Sequence, residues 1–121
     1  MRLLVVDDDQ SVVDVLSSFM KESGYEVDEA NDGIEAVEQL QNSSYDIVIT
    51  DAMMPKMKGA EVCKFIKSRY PNTYVIGISG YPDSLKKLKN EGADICFIKP
   101  FKIDQIERAI KIQFRSALSK S

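Results

Sequence analysis

Five times in 121 residues a short stretch favouring extended backbone gives way to one whose apolar residues recur every three or four positions. The extended stretches are Leu3 to Val6, Tyr25 to Asp28, Asp46 to Thr50, Tyr74 to Ile78 and Ile95 to Ile98. In the third, Ile47, Val48, Ile49 and Thr50 are β-branched, and their stiff side chains suit a strand. That run is apolar on both alternating faces, as in a strand covered on both sides. The helical stripes are Val12, Leu16, Phe19 and Met20; Ile34, Val37 and Leu40; Val62, Cys63, Ile66 and Tyr70; Leu85 and Leu88; and Ile103, Ile106, Ile110 and Phe114. Asp9 or Ser11 can cap the first helix and Asp32 the second, with Glu35 completing a capping box; Gly24 and Gly92 are stops. Strict alternation of strand and helix predicts an α/β fold, a doubly wound five-stranded parallel sheet with helices on both faces, in one domain spanning 1–121. The fourth helix, with its thin stripe, is expected to be among the less stable elements. The tail from Arg115 onward loses its pattern and is expected to fray.

Composition removes several function classes. The formal net charge is −3, so the chain lacks the strongly basic face that phosphate backbones select, and no direct nucleic-acid binding is expected. The longest apolar runs are about five residues, far short of a membrane span. Met1-Arg2 leads straight into the first strand and three aspartates, which is no signal peptide, so a cytoplasmic protein is expected. There is no histidine, which removes a Ser-His-Asp hydrolase, a His-ligated zinc site and a phosphohistidine carrier. Any metal must be held by oxygen, which points to Mg²⁺, Mn²⁺ or Ca²⁺. Cys63 and Cys96 stand in no metal-ligand spacing and read as buried free thiols.

The strand ends carry the chemistry. Asp7-Asp8-Asp9 follow the first strand, Asp51 the third, Ser79 the fourth and Lys99 the fifth. In a parallel sheet these ends share one edge, and open α/β sheets bind ligands in the crevice there. With strand order 2-1-3-4-5, the first and third strands are neighbours and their aspartates face one another. Carboxylates so placed repel, so at least one should have a raised pKa unless a divalent cation removes the conflict. An Asp nucleophile, a hard cation, a lysine ammonium and a hydroxyl together supply what phosphoryl transfer needs. Taken singly, Lys99 is a solvated charge and Ser79 a turn residue; Asp9 is a helix cap, Phe101 a core anchor, and Met53, Met54 and Met57 loop and core packing.

VVDDD at Asp7-Asp8, DIVITDAMMPKMKG at Asp51, ISG at Ser79 and KPF at Lys99 stand in the right order, each at a strand end. Over essentially its whole length the chain resembles a receiver domain of the two-component response-regulator family. The resemblance implies a flavodoxin-like fold and a Mg²⁺-dependent reaction in which Asp51 takes a phosphoryl group from a sensor histidine kinase or phosphotransfer protein. It implies that Asp8, Asp51 and the Met53 carbonyl hold Mg²⁺, with Asp7 assisting through water. Lys99 would pair with the phosphoryl group and Ser79 bond to it after a small loop movement, and the Lys99-Pro100 bond would be cis. The module would catalyse only its own phosphorylation and hydrolysis, switch binding to a downstream effector, and exist as a monomer or weak homodimer.

Four departures from the family pattern stand out. Lys58 replaces a common acidic residue, and Ser79 the usual threonine. The span from Ser79 to Gly92 looks about two residues short. Cys96 occupies the place of the usual aromatic switch residue, with Phe97 expected on the opposite face, so the output or dimerisation face at Cys96 and Phe97 is expected to differ from the norm. Two other readings compete. One is a small Mg²⁺-dependent phosphatase of the haloacid dehalogenase type using Asp7 and Asp9. The other is a pseudo-receiver that binds partners without phosphorylation.

Overall fold

The computed structural model describes residues 1–115; the tail expected to fray lies, beyond Arg115, outside the described residues. Five strands alternate with five helices: β1 Arg2–Val6, α1 Gln10–Glu22, β2 Glu26–Ala30, α2 Gly33–Asn42, β3 Ile47–Asp51, α3 Gly59–Arg69, β4 Tyr74–Ser79, α4 Pro82–Asn90, β5 Ile95–Ile98 and α5 Ile103–Gln113. All pairings are parallel and the order is β2-β1-β3-β4-β5, as expected. β1, β3 and β4 are interior strands, which is why their runs are apolar without alternation. β2 is an edge strand.

Strand alternation splits the interior into two cores. Leu4, Val6, Val48 and Val75 face α2, α3 and α4, packing on Leu40, Val62, Ile66 and Leu88. Leu3, Val5, Ile49 and Ile76 face α1 and α5, packing on Leu16, Met20, Ile106 and Ile110. The N-caps at Asp9 and Asp32 form, the second without the return bond from the Glu35 side chain that a full capping box would add. The Asp9 carboxylate accepts from the Ser11 amide, and that of Asp32 from the Glu35 amide at 2.8 Å. Gly24 and Gly92 take left-handed φ of +97° and +105°.

The α2 stripe differs from expectation. Gly33, Ala36 and Leu40 are buried, whereas Ile34 is 45% exposed and Val37 half-buried. The helix begins hard against the β3–α3 loop: a Cβ on Gly33 would lie 2.5 Å from the Met57 carbonyl oxygen. Only the smallest residues fit on that side, so the branched ones are turned outward. In α1 the buried stripe is Val13, Leu16, Ser17 and Met20, with Val12 and Phe19 on its flanks. β3 and β4 each run one residue further than the apolar pattern suggests. Asp51 and Ser79 are therefore the last residues of their strands.

Candidate functional site

The edge formed by the C-terminal ends of the strands gathers the predicted polar residues. Asp7 follows β1 and is fully buried; Asp51 closes β3 and is 6% exposed; Asp8 is open to solvent. One carboxylate oxygen from each lies within 4.8 Å of the others. Lys99 follows β5 and reaches back across the sheet edge. Its Nζ stands 3.0 Å from Asp7 Oδ2 and 3.4 Å from Asp51 Oδ1. The other oxygen of Asp7 accepts from the Asp9 amide at 3.0 Å. The Lys99-Pro100 bond is cis.

These positions are set by backbone bonds from β4. The Ile78 carbonyl accepts from the Ala52 amide at 2.9 Å, and the Ser79 carbonyl from the Lys99 amide at 2.7 Å. On the far side of Asp51, Gly59 opens α3 against the strand end. Its amide donates to the Ala52 carbonyl at 3.1 Å, and any Cβ there would collide with the Asp51 carbonyl oxygen. Gly59 is thus a close-approach glycine.

Burial is the first cause of the site's electrostatics. It pushes the Asp51 pKa up to about 6, the charge of Asp7 adds to the rise, and Lys99 opposes it. Asp7 is raised as well, by burial first, against its bonds to the Asp9 amide and Lys99. The sequence points to mutual repulsion as the cause of such a shift; here repulsion is second to desolvation. Burial would lower the Lys99 pKa, but bonding to Asp7 and the charge of Asp51 outweigh it, and the net shift is upward. Lys99 stays charged.

Ser79 is nearly fully buried, and its Oγ accepts from the Tyr81 amide at 3.1 Å. Among the described residues it makes no side-chain hydrogen bond to Asp51. Met53, two positions past Asp51, is 47% exposed; Met54 is in the core and Met57 packs against it. Asp9 caps α1 and Phe101 packs on the α1–α5 core, as expected. Cys96 and Phe97 do point to opposite faces, Cys96 toward α4 and Phe97 toward the α1–α5 core. Both cysteines are free, but only Cys63 is fully covered; Cys96 is half-buried, because β5 is an edge strand.

Two contributors escape the sequence. Lys56 adopts φ of 70° in the β3–α3 loop and pairs with Asp32 at 3.4 Å, tying the loop to the start of α2. Lysine carries no preference for that backbone region, so nothing in its identity signals the role. Gly33 does carry a signal, an Asp-Gly pair, but it reads only as a turn. Lys58 is the N-cap of α3 without a side-chain bond, since an ammonium cannot accept from an amide. A surface cavity of about 610 Å³, lined by Tyr25 and Arg108 among others, lies at the other end of the sheet and holds none of these groups.

The family model of the response regulator receiver domain matches residues 3–111. A transcriptional regulatory protein CpxR homologue of Haemophilus influenzae is 35% identical over 122 residues, covering 99% of this chain and 53% of its own length. The alkaline phosphatase synthesis transcriptional regulatory protein PhoP of Bacillus subtilis is 31% identical, covering 94% of this chain and 48% of its own. The chain thus spans about half the length of the curated relatives it matches. Among solved structures, a CheY-like receiver domain protein from Methanospirillum hungatei superposes with a TM-score of 0.89 at 25% identity, covering 99% of this chain and 98% of that one. The response regulator TrrA of Thermotoga maritima, in complex with Mg²⁺-BeF, does so at 0.83 and 33% identity, covering 91% and 96%. Three crowded aspartates and a lysine at one sheet edge, the 2-1-3-4-5 order and these matches agree: the chain belongs to the response regulator receiver domain family, the phosphoryl-accepting module of two-component signalling.

Proposed function

We propose that Asp51 is the phosphoryl acceptor, and that its donor is a phosphohistidine on a sensor histidine kinase or phosphotransfer protein. The observation that carries this is the environment of Asp51. It is a buried carboxylate at the rigid end of an interior strand, with its pKa pushed up to about 6 and an ammonium 3.4 Å away. An Asp51 oxygen attacks phosphorus, a P–O bond forms as the P–N bond to the imidazole breaks, and the departing nitrogen takes a proton from solvent. Lys99 shifts its contacts from Asp7 and Asp51 to the incoming phosphoryl oxygens. Ser79 accepts from Tyr81 and so keeps its own hydrogen to donate to the phosphoryl group once it turns.

Asp7, Asp8 and Asp51 suit a hard divalent cation, which we take to be Mg²⁺, with the Met53 carbonyl as a further ligand. Three oxygen donors crowd together, and the site's own electrostatics resist leaving them all charged. Such a cation supplies positive charge against the transferring group. The receiver unit is read as 1–121, acting in the cytoplasm as a monomer or weak homodimer. It turns over no substrate beyond its own phosphorylation and hydrolysis, and passes the signal to an effector protein or domain. Incubation with acetyl phosphate and Mg²⁺ should add the mass of one phosphoryl group, and Asp51→Ala or chelation of the metal should abolish the gain. An unchanged mass, or a gain that survives Asp51→Ala, overturns the assignment.

A further inference from the structure

Four strand ends at the C-terminal edge of the sheet carry the chemistry described so far, and β2 makes a fifth. It closes at Ala30, and two residues on stands Asp32, whose side chain is only 16% exposed. One Asp32 oxygen caps α2, accepting from the Glu35 amide at 2.8 Å. The other faces the Lys56 ammonium at 3.4 Å. Lys56 is the centre of a three-residue turn, closed by the bond from the Met57 amide to the Pro55 carbonyl at 2.9 Å. Its φ of 70° gives that turn the rare, strained hand. Glycine would take this backbone without strain. What lysine adds is an ammonium on a stem that reaches the neighbouring loop, where Asp32 receives it. The same helix start touches the next residue of the turn, because Gly33 leaves no room for a Cβ beside the Met57 carbonyl. The start of α2 therefore grips the turn at two consecutive residues, by charge at Lys56 and by backbone contact at Met57.

This grip reaches the site through a short ring of chain. The Gly59 amide bonds to the Ala52 carbonyl at 3.1 Å and closes residues 52–59 into a loop. Within it Pro55 has a fixed φ and narrows the choices of Met54, which is itself buried in the core. Few soft torsions then separate Lys56 from Met53. The Met53 carbonyl belongs to the backbone, so it goes where this loop goes.

We propose that Lys56 is a positioning residue: its ion pair with Asp32 holds the strained turn, and through it the Met53 carbonyl, in place for the divalent cation. The inference rests on the reading of Asp7, Asp8, Asp51 and Met53 as the Mg²⁺ site. Charge alone predicts the opposite of what a strut does. Removing a positive side chain near a Mg²⁺ site should strengthen Mg²⁺ binding, whereas removing a strut weakens it.

Mg²⁺ alone, titrated into the folded chain and followed by the amide NMR shifts of Asp8 and of residues 51–59, tests the strut. Lys56→Met keeps the stem and loses the charge. Asp32→Asn loses the charge and keeps a competent N-cap for α2. Lys56→Gly removes the charge and the strain together. Each should weaken Mg²⁺ binding at least about threefold, and the double variant of Lys56→Met with Asp32→Asn should bind no worse than the weaker single one. Unchanged or tighter binding in Lys56→Met, or wild-type affinity in Lys56→Gly, overturns the strut. Losses that add in the double variant overturn the pairing of Lys56 with Asp32. A wild-type chain whose amides do not respond to Mg²⁺ overturns the cation reading and the strut with it. Wild-type binding matched by every variant overturns the strut and leaves the cation reading standing.

Discussion

Asp51 sits where folding works against its charge. Its pKa rises on folding from the ordinary 3.8 to about 6, so the folded chain holds that proton more tightly than the unfolded one. The stabilising contribution of the neutral carboxyl is therefore full below 3.8 and is lost as pH rises through about 6. At pH 7 the ionised group costs on the order of 3 kcal/mol without a divalent cation. Asp51→Asn in metal-free buffer should accordingly stabilise the protein at pH 7 by about 1–3 kcal/mol, in urea or thermal unfolding, and the gain should fade towards pH 4. A gain that grows on acidification would contradict the assigned shift. The residues at this edge were legible because each apolar run stops at a polar one, and sheet direction then brings the stops together. What was not legible is rank among them: Asp7 and Asp8 are adjacent in the chain, yet one is fully buried and paired with Lys99 while the other is solvated.

The β3–α3 loop shows the same contrast at the scale of an element. Its existence follows from Pro55 and Gly59, but its path is dictated by contacts from outside the segment. Gly33 presses on Met57, Lys56 pairs with Asp32, and Gly59 lies against the Asp51 backbone. Because the obstruction at Gly59 is backbone and not a mobile side chain, Gly59→Ala must displace the Asp51 backbone itself. It should cost at least about 2 kcal/mol in equilibrium unfolding and slow phosphorylation by acetyl phosphate as well. An ordinary flexible corner would lose under about 1 kcal/mol and keep its rate. The outward turn of Ile34 has the same origin. Hydrophobic periodicity gives a helix its stripe but not how near the neighbouring backbone stands, and at α2 that nearness decides which residues go inside.

The molecule as a whole carries two cores of unequal grip, one beneath α1 and α5 and one beneath α2, α3 and α4. β1, β3 and β4 are covered on both faces, whereas α4 contributes a single fully buried side chain. Native-state hydrogen exchange should therefore rank the amides of β1, β3 and β4 slowest and those of α4 fastest among the helices. Protection of α4 equal to that of α1 would mean its thin apolar stripe understates its attachment. The consecutive carbonyls of Ile78 and Ser79, one bonded to Ala52 and the other to Lys99, carry a consequence for such a lopsided design. β4 acts as a drilling jig: it sets the spacing of its two neighbours' reactive ends before any ligand arrives. The spacing of these polar strand ends belongs to the sheet, and the thinly attached α4 is bolted on elsewhere. A lineage can rework the outer helices to suit new listeners without re-cutting the holes.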